Sequence, residues 1–271
     1  MQTPAGLHAL SWEQAQLDRV VADIFGYHAV QLGLRGLAAL RHNRMPHRWL
    51  ALDEPDDADD ANEQLAAQGE AGGAFPPLLV PGPCVPEASL VCDYTDLPLA
   101  AQSLDLVVLP HTLEVASDPY ACLREADRVL VAGGQVVITG FNSLSLWGAR
   151  QFLARLGGQR YLPQSGELIS PRRVRDWLRL LSFEVTAGAY GCWRPPLQTQ
   201  AWLERWRFMD KAGERWWPML GGMYVLVATK RVRAMRLVGK AWQPNAAKAH
   251  VARPVAHRRT AHSRREPGGT A

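Results

Sequence analysis

The segment Val91–Phe141, VCDYTDLPLAAQSLDLVVLPHTLEVASDPYACLREADRVLVAGGQVVITGF, constrains the fold of this chain more than any other. Leu104–Leu109 and Gln135–Thr139 are short runs dominated by Val, Leu and Ile, the pattern of strands buried on both faces of a parallel sheet. Between them the spacing predicts a helix. Asp118 suits its N-cap and Pro119 its first position, and Cys122, Leu123, Ala126, Val129 and Leu130 recur at helical intervals before Gly133 and Gly134 stop it. Strand, covering helix and strand form one right-handed crossover unit.

The flanking sequence extends the same alternation. A helix is predicted from Ser11 or Trp12 to Ile24, with Ala15, Leu17, Val20, Val21 and Ile24 as its apolar stripe. His28–Leu32 is the first strand, Trp49–Leu52 the second and Ala88–Cys92 the third. The acidic, Ala/Gly-rich stretch between the last two reads as a solvated loop with a short helix near Asn62–Gln68. Ser170-Pro171 opens a helix carrying Val174, Trp177, Leu178 and Leu181, and Phe183–Ala187 and Met223–Thr229 complete seven strands. The fold class expected is therefore α/β: a Rossmann-like, seven-stranded, mostly parallel sheet with helices on both faces and its last strand reversed.

Charge divides the chain. From Lys230 onward there are eleven Lys or Arg against the single acid Glu266, whereas the preceding residues are net acidic. The expected organisation is a folded domain over 1–232 and a basic, disordered tail over 233–271, too poor in large apolar residues to offset the entropy of ordering. Such a tail allows weak, salt-sensitive nucleic-acid contact, but the plainer reading is a solvated extension. The four cysteines, Cys84, Cys92, Cys122 and Cys192, lack the spacing of a metal or disulfide framework, and no metal is expected. No run approaches the ~18 apolar residues of a membrane span, and the N-terminus lacks a cationic start before an apolar stretch. A cytoplasmic location with no membrane partner is the expectation, and the sequence gives no oligomeric state.

In an open α/β sheet, chemistry collects outside the carboxyl ends of the strands, where the strand order reverses. Gly33 and Gly36 fall there after strand one, Asp53 after strand two, Asp93 after strand three, and Pro110-His111 after strand four. Asp53 lies about twenty residues beyond Gly33, the offset at which an acidic residue reaches ribose hydroxyls; opening the acidic loop is its alternative role.

The series D-Y-T-D-L-P, S-L-D-L-V-V, H-T-L-E-V, D-P, L-R-E-A-D-R-V-L and G-G resembles the central half of class I S-adenosylmethionine-dependent methyltransferases of the small-molecule type 11 branch. It is most similar to a bacterial group of methyltransferase-like proteins that share the G-F-N after the fifth strand. The resemblance implies S-adenosylmethionine as cofactor and a small-molecule acceptor. It implies that the Asp93 carboxylate accepts from the adenine amino group, that the Tyr94 backbone N–H meets an adenine ring nitrogen, and that Leu97 and Pro98 wall the ring. Gly33 and Gly36 would pass beneath the methionine part. The loop QLGLRGL departs from the family pattern: Gln31 replaces an acid, Arg35 the second glycine and Leu37 the third. That departure supports an alternative reading, a weakly active or inactive relative that binds nucleoside or protein.

His111 emerges where the transferable methyl would lie, and a neutral imidazole there is a candidate base for an acceptor that must lose a proton; packing against the cofactor is its alternative. Glu114 and Asn142 are further candidates for the same cleft. The stripe Trp202, Trp206 and Met209, followed by Trp216-Trp217, reads as core or as a helix face lying across the sheet; the resemblance implies the alternative that this insertion between strands six and seven covers the pocket of a hydrophobic acceptor.

Overall fold

The computed structural model describes residues 4–53, 88–154, 168–196 and 199–231. The acidic loop with its proposed helix, Cys84 and the basic tail lie outside them. In chain order the elements are α1 (Pro4–Ala22), β1 (His28–Leu32), β2 (His47–Leu52), β3 (Ala88–Val91), β4 (Leu104–Pro110), the one-turn α2 (Thr112–Val115), α3 (Pro119–Val129) and β5 (Leu130–Phe141). They continue with α4 (Leu146–Ala154), α5 (Pro171–Leu180), β6 (Phe183–Gly191), α6 (Gln200–Arg205), α7 (Phe208–Trp216), a 3₁₀ turn (Pro218–Leu220) and β7 (Met223–Lys230).

The seven strands form one sheet in the order β3-β2-β1-β4-β5-β7-β6. β1 to β5 run parallel, and β7 lies antiparallel between β5 and β6. The expected mixed sheet with its reversed last strand is the observed one. The order reverses between β1 and β4, and this places the ends of β1, β2, β3 and β4 around one crevice.

Local signals explain most boundaries. Asp118 caps α3 by accepting from the N–H groups of Tyr120 and Ala121, both at 3.0 Å, and Ser170 caps α5 through Arg173 N at 3.3 Å. Asp105 accepts from the N–H groups of Tyr27 (2.7 Å) and His28 (3.0 Å), fastening the entry of β1 to β4.

Two expectations are corrected. α1 starts at Pro4, and its buried stripe is Ala5, Ala9, Glu13, Leu17 and Val21, with Ala15 exposed. The helix is aligned by four-residue steps against the sheet rather than by the stripe its apolar residues suggested. Gly133 and Gly134 do not stop α3, which ends at Val129; they lie inside β5, where the register with β4 shifts.

Leu17 and Val21 of α1, with Ile24 just beyond it, join Val108, Val137, Val225 and Val227 in the core on one face. Leu123, Ala126, Val174 and Leu178, from α3 and α5, cover the other face with Val107, Val136 and Ile138.

Candidate active site

The crevice is built from the turn after β1. Gly33 has φ +80°, a conformation that excludes most side chains, and its N–H donates to Ala51 O at 2.8 Å, tying the ends of β1 and β2 together. A Cβ at Gly33 would sit 3.2 Å from the Tyr94 hydroxyl and 3.3 Å from Thr112 Oγ1, so residues from the ends of β3 and β4 close on this one glycine. Gly36 is exposed and a Cβ there would meet nothing within 4 Å; the steric demand for glycine rests on Gly33 alone.

Gln31 explains why the loop departs from the family pattern. Its Nε2 donates to the carbonyls of Leu37 (2.7 Å), Leu34 (3.1 Å) and Gly33 (3.3 Å), while its Oε1 accepts from Ala39 N at 3.0 Å. An amide can donate and accept at once. A carboxylate would meet three carbonyl oxygens, so the loop is organised around glutamine and buries Leu37 as core.

Asp53 follows β2, and its N–H donates to the Tyr94 hydroxyl at 3.1 Å. The Tyr94 side chain, buried among core residues, thus reaches across the carboxyl ends of β2 and β1. Asp93 is exposed and accepts through Oδ1 from the N–H (2.7 Å) and hydroxyl (2.8 Å) of Thr95. The N–H of Thr95, followed by its hydroxyl, holds the Asp93 carboxyl below the usual range. Leu97 is a core residue whose N–H donates to Glu125 Oε1 at 3.0 Å, while Arg128 grips Glu125 and donates to the carbonyls of Leu97 (2.9 Å) and Leu99 (2.8 Å). The L-R-E-A-D-R-V-L run therefore secures the loop that carries Asp93.

Beside the crevice lies a buried ionic network. His111, in the left-handed region at φ 56°, begins α2. Its Nδ1 is 2.8 Å from Glu114 Oε2 and its Nε2 3.3 Å from Glu13 Oε2. Glu13 also accepts from the Thr139 hydroxyl, and Glu114 accepts from Phe141 N at 2.5 Å. Burial by itself would push the imidazole down, but Glu13 and Glu114 together outweigh it and raise His111 to about 10. Burial raises the Glu114 carboxyl, against the opposing pull of His111. At neutral pH this imidazole holds its proton between two carboxylates, so the structure does not leave it as the neutral residue the sequence suggested.

Glu13 lies inside the expected helix but off the stripe that its apolar residues suggest, so the sequence does not single it out. Its signal is a glutamate in the middle of a buried four-residue stripe. Asn142, considered for the cleft, is instead a clasp: its Nδ2 donates to the carbonyls of Met219 (2.8 Å) and Gly221 (3.0 Å), and its Oδ1 accepts from Leu144 N at 3.1 Å. Trp202 on α6, Trp206 in the turn after it and Met209 on α7, with Leu146 and Pro195, line an apolar cavity of about 480 Å³. They are not core, and the buried residue of α6 is Leu203. No cluster of metal-ligating side chains occurs among the described residues.

For a nucleoside cofactor the frame fits: a positive-φ glycine follows β1, and Asp53 and Asp93 follow the neighbouring strands β2 and β3, beside the point where strand order reverses. Tyr94 is the side chain that fills the space between them.

Comparisons with known proteins agree with this frame. A methyltransferase-domain family model matches residues 58–138. The chain is 43% identical over 93 residues to the uncharacterized protein YafS of Escherichia coli strain K12, a stretch covering 34% of this chain and 38% of that protein. Among solved structures, a possible histamine N-methyltransferase of Thermotoga maritima aligns with a TM-score of 0.53 at 15% identity, over 82% of this chain and 91% of that one. The [4+2]-cyclase SpnF aligns with a TM-score of 0.50 at 17% identity, over 82% of this chain and 80% of its own. The chain has the fold of class I S-adenosylmethionine-dependent methyltransferases, and over residues 58–138 it is similar to a methyltransferase domain. The likeness to SpnF is a reminder that this architecture also carries other reactions.

Proposed function

We propose that the chain transfers a methyl group from S-adenosylmethionine to a small-molecule acceptor. The observation that carries this reading is the convergence of four strand ends on Gly33, with Ala51, Asp53, Tyr94 and Thr112 all in reach of that turn. S-adenosylmethionine is the cofactor the family supports, and when bound it supplies an electrophilic methyl on sulfur. Asp53 would hold the ribose hydroxyls, Asp93 the adenine amino group, and the Gly33–Gly36 turn the methionine part. The Tyr94 backbone N–H and Leu97 would complete the adenine wall.

Methyl transfer is an in-line displacement, so alignment and exclusion of water are what the protein can supply. His111 contributes as a positioning residue: its ionic network fixes the ends of β4 and β5 where the acceptor would meet the methyl. An acceptor that is nucleophilic without losing a proton first suits a site with no free neutral base at this position.

A second reading, binding without turnover, is favoured by the Tyr94 side chain lying across the strand ends. Calorimetric titration of the full chain with S-adenosylmethionine and S-adenosylhomocysteine separates the readings, with Asp53→Asn as a control. Micromolar binding that Asp53→Asn weakens about tenfold, together with methyl consumption on an acceptor panel, supports transfer. Binding with no consumption supports the second reading, and no binding even to Tyr94→Ala removes the cofactor site altogether.

A further inference from the structure

Among the described residues, ten of the sixteen large hydrophobic side chains that reach the surface fall in two short segments, 144–153 and 202–220. Trp216, Trp217, Met219 and Leu220 are 68%, 50%, 58% and 47% exposed, as successive parts of a turn interrupted only by Pro218. The two segments are one surface. Leu146 shares a cavity wall with Trp202, Trp206 and Met209, and the Asn142 amide bonds to Met219 O at 2.8 Å while receiving Leu144 N at 3.1 Å. On α4, Leu146 and Leu153 are seven residues apart and lie on the same side.

The backing is firm. Trp147 and Leu203 are buried beneath, and the Trp193 indole donates to Trp217 O at 3.0 Å. An apolar face of this extent on a folded domain marks a contact surface.

Its charges indicate the partner. Arg205, Arg207, Lys211 and Arg215 are exposed beside the aromatics, and among the described residues none of the four enters an ion pair. The Arg205 guanidinium lies 5.4 Å from the centre of the Trp202 ring. The four cations outnumber the three acids of the same segment, Glu204, Asp210 and Glu214, of which Asp210 is held by Arg194 at 2.7 Å. Tryptophan and aliphatic residues bordered by Arg and Lys match the boundary between headgroups and acyl chains. Single-stranded nucleic acid would also suit Trp and Arg, but it gives no role to Leu144, Leu146, Leu153, Met219 and Leu220.

We propose that this face docks on an anionic phospholipid bilayer, with Trp216, Trp217, Met219 and Leu220 entering the interface and Arg207, Lys211 and Arg215 meeting lipid phosphates. None of the described helices is long and apolar enough to cross a membrane, and surface docking needs none. The proposal does not depend on the cofactor.

The test is flotation of the full chain with phosphatidylcholine vesicles, with and without phosphatidylglycerol, at low and high salt. Because the sequence beyond Lys230 is itself basic, the decisive readout is insertion. Tryptophan emission shifts to the blue on phosphatidylglycerol vesicles, part of the binding survives high salt, and Trp216→Ser/Trp217→Ser abolishes both features and weakens binding at least about tenfold. Arg207→Glu/Lys211→Glu weakens binding only where phosphatidylglycerol is present. Equal flotation of the tryptophan variant, binding wholly lost at high salt, or no blue shift would overturn the proposal. Salt-sensitive RNA binding, or a dimer in sedimentation, that the tryptophan variant loses in place of vesicle binding would overturn it too.

Discussion

The two ends of the site region are built on opposite plans. Around β1 and β4 every polar group singled out above is engaged: Gln31 by four backbone groups, His111 by two carboxylates, and Asp53 N–H by the Tyr94 hydroxyl. Around β5 and β7 large apolar side chains stand in solvent over a buried base. Unsatisfied buried polarity is costly, so the first region tolerates little change, whereas exposed apolar groups cost the folded state little and invite a partner.

The comparison is broken most directly at His111. His111→Ala would leave Glu13 and Glu114 buried without their cation and is expected to cost about 3–5 kcal/mol in urea unfolding. The pH dependence follows from the raised imidazole. A group raised above its unfolded value of 6.5 contributes its full stability below that value and loses it as pH rises toward about 10. The difference in melting temperature between wild type and His111→Gln should therefore be greatest near the lower limit and shrink toward the upper. A flat difference would mean that the imidazole is not held charged.

Gln31→Glu, which would restore the family's acid, is expected to destabilise the chain by about 1–3 kcal/mol, because a carboxylate cannot donate to the three carbonyls. Gain of stability in thermal melts would show that the loop rearranges around the acid. Tyr94→Phe removes the acceptor of Asp53 N–H and should cost about 1 kcal/mol. The same variant tests whether the hydroxyl holds the ring across the crevice, since faster hydrogen exchange at Asp53 N–H would follow. On the open side, Trp216→Ser/Trp217→Ser should move stability by no more than about 0.5 kcal/mol. A larger loss would make that turn part of the core packing.

Much of the fold was legible from the sequence. His28–Leu32 was readable residue for residue because a short apolar run ends in a glycine turn, and Asp118-Pro119 announced α3 by capping chemistry. β5 extended beyond the predicted Gln135–Thr139 in both directions because pairing with β4 and β7 carries the strand past its most apolar residues and through two glycines. At the site, the carboxyl-end rule located Gly33, Asp53, Asp93 and His111. Their contacts were not legible, because Glu13 lies 98 residues from His111 and Glu125 lies 28 from Leu97. Neither local spacing nor composition reports a pairing that only the sheet order creates. The tryptophan stripe misled for a related reason: helical spacing shows that side chains share a face, not that another element covers it.

The position of α1 bears on the order in which the molecule assembles. This helix is the first described element, yet Leu17 and Val21 pack with Val225 and Val227 of β7, the final described strand. β7 is also the strand that joins β5 to β6. During synthesis α1 can pack early on Leu37, Leu40 and Met45, but its contacts with Val225 and Val227 form only once β7 has emerged, and Glu13 waits for β4 and β5 before its carboxylate finds His111 and Thr139. Contacts spanning so much sequence slow folding and leave early surfaces open to wrong partners. Completion of β7 is then the event that joins β6 to the rest of the sheet and completes the packing of α1.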